Sequence, residues 1–143
     1  MDDVAIHYAD GTLLLEQCKS ALAHNPISDW SGDLWKTVAN WLDMVETQGI
    51  DESKTSFQLY VTPSKLGKLS AAIHTAVDAT AVEALVKQVR DKLKKRAKAP
   101  ECIAHVQRFL DTTDALRLAV VGKTSVVATD ADPLEPLLSL IHI

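Results

Sequence analysis

The chain has 143 residues, enough for one domain with a sizeable core, and its 47% hydrophobic and 24% charged residues are ordinary globular composition, which argues against disorder. No apolar run approaches the ~20 residues needed to span a bilayer, and the acidic start Met1-Asp2-Asp3 lacks the basic-then-apolar layout of a signal peptide. The net charge of -4 is unevenly spread: residues 1–86 carry five Lys/Arg against twelve Asp/Glu, whereas residues 87–98 hold seven of the fifteen basic residues and a single acid, Asp91. A global acidic balance argues against nucleic acid as a partner, and this local basic run weakens the objection.

The chain opens with a β-forming run from Asp3 to Tyr8, the pair Asp10-Gly11, and a second run from Thr12 to Lys19, a pattern that predicts a hairpin. Asn25-Pro26 breaks the chain, and Ser28 to Gly32 supplies helix-start chemistry. Leu34, Val38, Trp41, Leu42 and Val45 then recur at helical spacing, with Gly49 as the stop. Ser56 to Thr62 alternates, with Phe57, Leu59 and Val61 on one face and Gln58 and Tyr60 on the other, and reads as a strand closed by Pro63. A helix from about Ser64 is predicted to turn Leu66, Leu69, Ile73 and Val77 inward. Thr80-Ala81-Val82-Glu83 has capping-box spacing and starts a helix burying Val82, Leu85, Val86, Val89 and Leu93. A shorter helix from Pro100 carries Val106, Phe109 and Leu110. Beyond Asp114 the pattern is ambiguous: Leu116 to Val121 and Ser125 to Ala128 fit two strands, or a helix and a strand. The order predicts an α/β fold, a small mixed β-sheet with an N-terminal hairpin flanked by helices.

Chemistry concentrates at the open end of the hairpin. Along a strand, Gln17 and Lys19 project to one face, and Glu16 and Cys18 to the other. A two-residue turn at Asp10-Gly11 would set Asp2 opposite Lys19 and Val4 opposite Gln17. One further loop residue, with a bulge, would set Asp3 opposite Gln17. Either register brings a carboxylate beside an amide oxygen and an ammonium. Such a set suits phosphodiester hydrolysis: Mg²⁺ takes oxygen ligands, activates water and offsets phosphate charge, while a lysine orients the nucleophile or stabilises developing charge. The bland alternative is an exposed polar strand end with an incidental ion pair.

Asp2-Asp3-Val4-Ala5-Ile6, Leu15 to Ser20, Asp33-Leu34-Trp35-Lys36-Thr37 and Trp41 resemble the double-stranded DNA endonuclease domain of CD-NTase-associated effectors. These are antiphage proteins of the bacterial cyclic-oligonucleotide (CBASS) systems, whose nuclease belongs to the PD-(D/E)xK, restriction-endonuclease-like superfamily in an Asp…Gln-x-Lys variant. The likeness covers roughly residues 2–62. It implies that Asp3 binds the metal with help from Asp2, that Gln17 stands at the usually acidic ligand position, and that Lys19 is the catalytic lysine. It further implies Mg²⁺ or Mn²⁺ as cofactor, double-stranded DNA as substrate, a following sensor domain for a cyclic oligonucleotide, and a homo-oligomer in the parent protein; a cytoplasmic setting is expected from the cysteines instead. Members of that family carry a helix and a strand before the aspartate. The chain is therefore expected to be a restriction-endonuclease-like core truncated at the N-terminus, with residues 1–138 forming one incomplete nuclease-like domain and 139–143 a non-native tail. The competing function is a non-catalytic nuclease-like module that binds nucleic acid or protein.

Lys87, Arg90 and Lys94, with Lys36 on the tryptophan helix, are candidates for DNA phosphate contact, although a solvated helix face explains the basic run slightly better. Trp30, Trp35 and Trp41 are expected in the core rather than as base-stacking platforms, with Trp35 off the main apolar stripe. Gly122-Lys123-Thr124 lacks the earlier glycine of a phosphate loop, since Arg117 stands there. The histidines lack zinc-ligand spacing, and His7 shares a strand face with Asp3 but is expected to be a neutral bystander. Cys18 is expected to be a packed thiol facing away from the site. Cys18 and Cys102 lie far apart with no CxxC partner, as in a reduced compartment.

Overall fold

A computed structural model describes residues 3–128 apart from 23, 63, 64 and 66, with residue 3 described by its backbone alone. Asp2, Ser64, Leu66 and the tail 139–143 therefore lie outside the described residues. The fold is α/β: a four-stranded mixed sheet with helices packed against it. Strands β1 (Asp3–His7) and β2 (Leu13–Ser20) form the hairpin, α1 (Gly32–Thr47) leads to β3 (Thr55–Thr62), and four helices intervene before the last strand. These are α2 (Lys68–Thr75), α3 (Ala79–Lys94), α4 (Ile103–Asp111) and α5 (Asp114–Val121); β4 is Thr124–Ala128. The order across the sheet is β1-β2-β3-β4, with β1 antiparallel to β2 and the other pairs parallel.

The hairpin takes the second of its two possible registers. Asp3 pairs with Gln17 and His7 with Leu13. The loop has three residues, closed by the Tyr8 N–H donating to the Thr12 carbonyl (2.9 Å) and the Gly11 N–H donating to the Tyr8 carbonyl (3.1 Å). Gly11 sits at φ +89°, the left-handed position that a turn-plus-bulge hairpin assigns to glycine. At the far end of α1, Gly49 (φ +70°) follows the last turn in the same left-handed region and stops the helix.

One face of the sheet is buried under the helices. Phe57 and Leu59 of β3 and Leu15 of β2 join Leu34, Val38, Trp41 and Leu42 of α1 in a core that extends through Leu85, Val106, Phe109 and Val120. Trp35, despite lying off the stripe, is 0% exposed: its ring packs 5.5 Å from Phe109, and its indole N–H donates to the Asp29 carbonyl at 2.7 Å. Burying the polar end of a tryptophan is tolerable only with such a partner. Trp41 stacks against Phe57 at 5.1 Å, so both are core residues, while Trp30 is half-buried at the core's rim.

Two local expectations are corrected. Val77 is 67% exposed, because α2 closes at Thr75 with the Ala76 N–H on the Ile73 carbonyl, and Val77 falls beyond the helix. The cap of α3 is Asp78, whose carboxylate accepts the Ala81 N–H at 2.8 Å, leaving Thr80 inside the first turn. The predicted inward residues Val82, Leu85 and Val89 are buried. The ambiguous segment after Asp114 resolves into a helix and a strand, with β4 held in the sheet by parallel pairing to β3. No helix among the described residues is long and apolar enough to cross a membrane.

Candidate active site

Alternation along β2 turns Leu15, Gln17 and Lys19 toward the helix-covered face, and the long polar side chains Gln17 and Lys19 are 8% and 7% exposed. An ammonium buried to that degree needs a counter-charge. Asp33, in the first turn of α1, lies with Oδ1 4.0 Å from Lys19 Nζ. A carboxylate is favoured there because the helix N-terminus is electropositive. Its other oxygen lies 2.7 Å from His24 Nε2, at the exposed end of the cluster. The order Lys19, Asp33, His24 thus leads from a buried ammonium through a half-exposed carboxylate to a solvent-facing imidazole.

Register places the backbone of Asp3 directly across from Gln17, with Lys19 two residues further along β2. Gln17 lines a cavity of about 160 Å³ between the hairpin and α1, together with Leu15, Asn40, Trp41 and Met44. Among the described residues no group of three His, Cys, Asp or Glu side chains stands ready to hold a metal. The described donor set offers the neutral amide oxygen of Gln17, while Asp33 is engaged by Lys19 and His24. Mg²⁺ keeps several waters and asks few protein ligands, so an amide with one neighbouring carboxylate is a chemically adequate set.

On the opposite face Glu16 accepts from the Gln58 amide (2.6 Å), and the Cys18 thiol lies 3.5 Å from its second oxygen. Cys18 therefore points away from Lys19, as alternation predicts. Neither Cys18 nor Cys102 is in a disulfide, and burial pushes the Cys102 thiol up from its ordinary range. His7 is exposed at the loop end of β1, remote along the strand from Asp3.

The basic candidates are dispersed. Lys36 is exposed on α1, one turn beyond Asp33, and Lys87, Arg90 and Lys94 are exposed on α3. Arg90 reaches the Leu110 carbonyl at 3.4 Å, at the end of α4. The basic residue that ties α3 to the segment before α1 is Lys92, which was not singled out by the sequence: its ammonium lies 2.8 Å from Asp29 Oδ2. Asp29 Oδ1 accepts the Leu69 N–H at 2.9 Å, so this one carboxylate joins the α1 entry to both α2 and α3. Burial opposes its ionisation, but the hydrogen bonds from Lys92 and the Leu69 N–H outweigh that and hold the carboxyl below its ordinary value.

A folded-state value below 3.8 means that ionised Asp29 favours the folded chain above pH 3.8, and that this contribution fades as pH falls through the lower folded value. Asp29→Asn should cost on the order of 1–2 kcal/mol at neutral pH. In urea titrations the difference from wild type should shrink below pH 3.8; a difference independent of pH would show that the charge contributes nothing.

Asp33 and His24 were not assigned roles by sequence reasoning. An acid in the first turn of a helix is too common to signal a site, and only the approach of β2 to the start of α1 gives it one. No family model matches the sequence, and no curated protein or solved structure matches it.

Proposed function

We propose that this chain is a metal-dependent endonuclease domain with a restriction-endonuclease-like core, hydrolysing phosphodiester bonds of double-stranded DNA in bacterial antiphage defence. The observation that supports the reading is the hairpin register: Asp3 across from Gln17, with Lys19 two residues further on the same face of β2. That is the placement the Asp…Gln-x-Lys pattern asks for.

In this reading Asp3 and Gln17, with Asp2, hold Mg²⁺ or Mn²⁺, which when bound supplies a water of lowered pKa and offsets phosphate charge. Lys19 donates hydrogen bonds to the attacking water or to a non-bridging phosphate oxygen, where negative charge builds as the water oxygen bonds to phosphorus and the bridging P–O bond breaks. Asp33 fixes the lysine's orientation and supplies its counter-charge. By the same resemblance the working protein is completed by a sensor domain for a cyclic oligonucleotide and acts as a homo-oligomer, and its isolated cysteines suit the cytoplasm.

A second reading, a non-catalytic module that binds nucleic acid or protein, draws on the burial of Lys19 against Asp33, which also suits a structural lysine. Conversion of supercoiled plasmid to open circles separates the two. The nuclease converts it with Mg²⁺ or Mn²⁺, and EDTA stops the conversion. Wild-type protein that cuts with neither metal belongs to the second reading.

A further inference from the structure

We propose that the DNA backbone runs from the Lys19–Asp33–His24 cluster across Ser28 toward Lys68 and Arg96, rather than along the Lys87–Lys94 stripe of α3. This inference rests on the nuclease reading for its choice of partner. Its geometry comes from two shallow depressions of about 450 and 470 Å³ that share Ser28. The first is bordered by His24, Ser31 and Asp33, and the second by Trp30, Lys68 and Lys92. Together they make one open trough leading away from the end of β2.

Its charge suits a polyanion. The two acids in the trough are each already paired with a lysine, Asp29 with Lys92 and Asp33 with Lys19. Lys68 and Arg96 are exposed and form no ion pair among the described residues, so the uncompensated charge is positive. The Arg96 guanidinium lies over the Trp30 ring at 5.7 Å, which holds it at the trough's rim. Ser28 and Ser31 add hydroxyl donors of the kind that contact phosphates. At 3.6 residues per turn, Lys87 and Lys94 lie roughly opposite Lys92 around the α3 axis, while Arg96, just beyond the end of the helix, lies over Trp30 beside Lys92's side of the trough. The basic run is thus divided between two surfaces, and only one of them borders the cluster.

The test is fluorescence anisotropy of a labelled DNA duplex with the full chain, in EDTA so that nothing is cut. Reversing both charges, Lys68→Glu with Arg96→Glu, should weaken binding at least ~10-fold and lower the salt slope by about 2. Lys87→Glu with Lys94→Glu should change affinity no more than about two-fold. Far-UV circular dichroism checks folding, and the milder pair Lys68→Gln with Arg96→Gln gives the same ordering should charge reversal unfold the chain. The proposal is overturned if the stripe variant loses the binding, if the wild type does not bind duplex DNA, or if single-stranded RNA or a protein occupies the trough instead. Binding lost as expected without any plasmid cutting would sink the nuclease reading and leave the trough standing.

Discussion

Lys19→Ala is expected to lower metal-dependent plasmid nicking by at least ~100-fold, the scale seen when a single charge-stabilising donor is removed from an active site. The ammonium is held in a water-poor position beside Asp33, 4.0 Å away, where, in the nuclease reading proposed above, its charge would act strongly on a phosphate brought next to it. Alanine also deletes a buried stem and leaves Asp33 with His24 alone, so lost activity could follow from lost structure. Lys19→Met answers this. It keeps most of the stem and removes the charge; taking away one partner of an ion pair costs most when the charge left behind is buried, and Asp33, 40% exposed with His24 Nε2 at 2.7 Å, keeps its access to water. A Lys19→Met protein that holds its urea midpoint yet no longer nicks DNA identifies the ammonium as chemical. Nicking at the wild-type rate by the same variant would reduce Lys19 to a packing residue.

The largest stability loss is expected at Arg117. This guanidinium is 7% exposed on α5, and its Nη1 lies 3.0, 3.0 and 2.7 Å from the carbonyls of Phe109, Leu110 and Thr112. Those are carbonyls at the end of α4 and just beyond it, which the helix itself cannot satisfy. The ring of Phe109 lies beneath the charge at 5.9 Å. The partner Asp114 is almost wholly exposed, so that ion pair adds little. Arg117→Ala strips the Phe109 and Thr112 carbonyls of this donor, leaves Leu110 with Arg90, and opens a void beside Phe109, which should cost about 3 kcal/mol and lower the melting temperature by roughly 10 °C. Arg117→Lys should rescue only part of this, because an ammonium lacks the planar fork that spans several carbonyls. A melting temperature unchanged in Arg117→Ala would mean that water serves those carbonyls equally well.

Features of this fold that depend on neighbouring residues were legible in the sequence. Asp10-Gly11 marks the hairpin, and only the choice between a two- and a three-residue loop stayed open, since glycine at position 11 serves both. The α1 stripe and the β3 alternation were readable because α1 buries one continuous face and β3 turns Phe57, Leu59 and Val61 inward together, although Tyr60 on the other face of β3 is buried too. Features set by distant partners were not. Asp33 acquires its role from Lys19, Asp29 from Lys92, and Arg117 from the end of α4, and none of these pairings leaves a periodic trace. Val77 misled because its spacing continues the α2 stripe, while the helix stops before reaching it. Of the candidate site, strand alternation was enough to put Gln17 and Lys19 on one face, while the sequence left open which of Asp2 and Asp3 stood across from them, and Asp3 was singled out only by the family resemblance; the positions of His24 and Asp33 needed the third dimension.

The parallel pairing of β4 with β3 sets the order in which the molecule can assemble. Phe57 aligns with Thr124, so this ladder cannot close until four intervening helices have been made and folded back, whereas the hairpin closes over a three-residue loop. Loop-closure entropy makes the hairpin an early event and the last strand a late one. During synthesis the site residues of β2 and α1 therefore emerge long before the sheet is sealed, and β3 waits with one edge open to whatever strand arrives first.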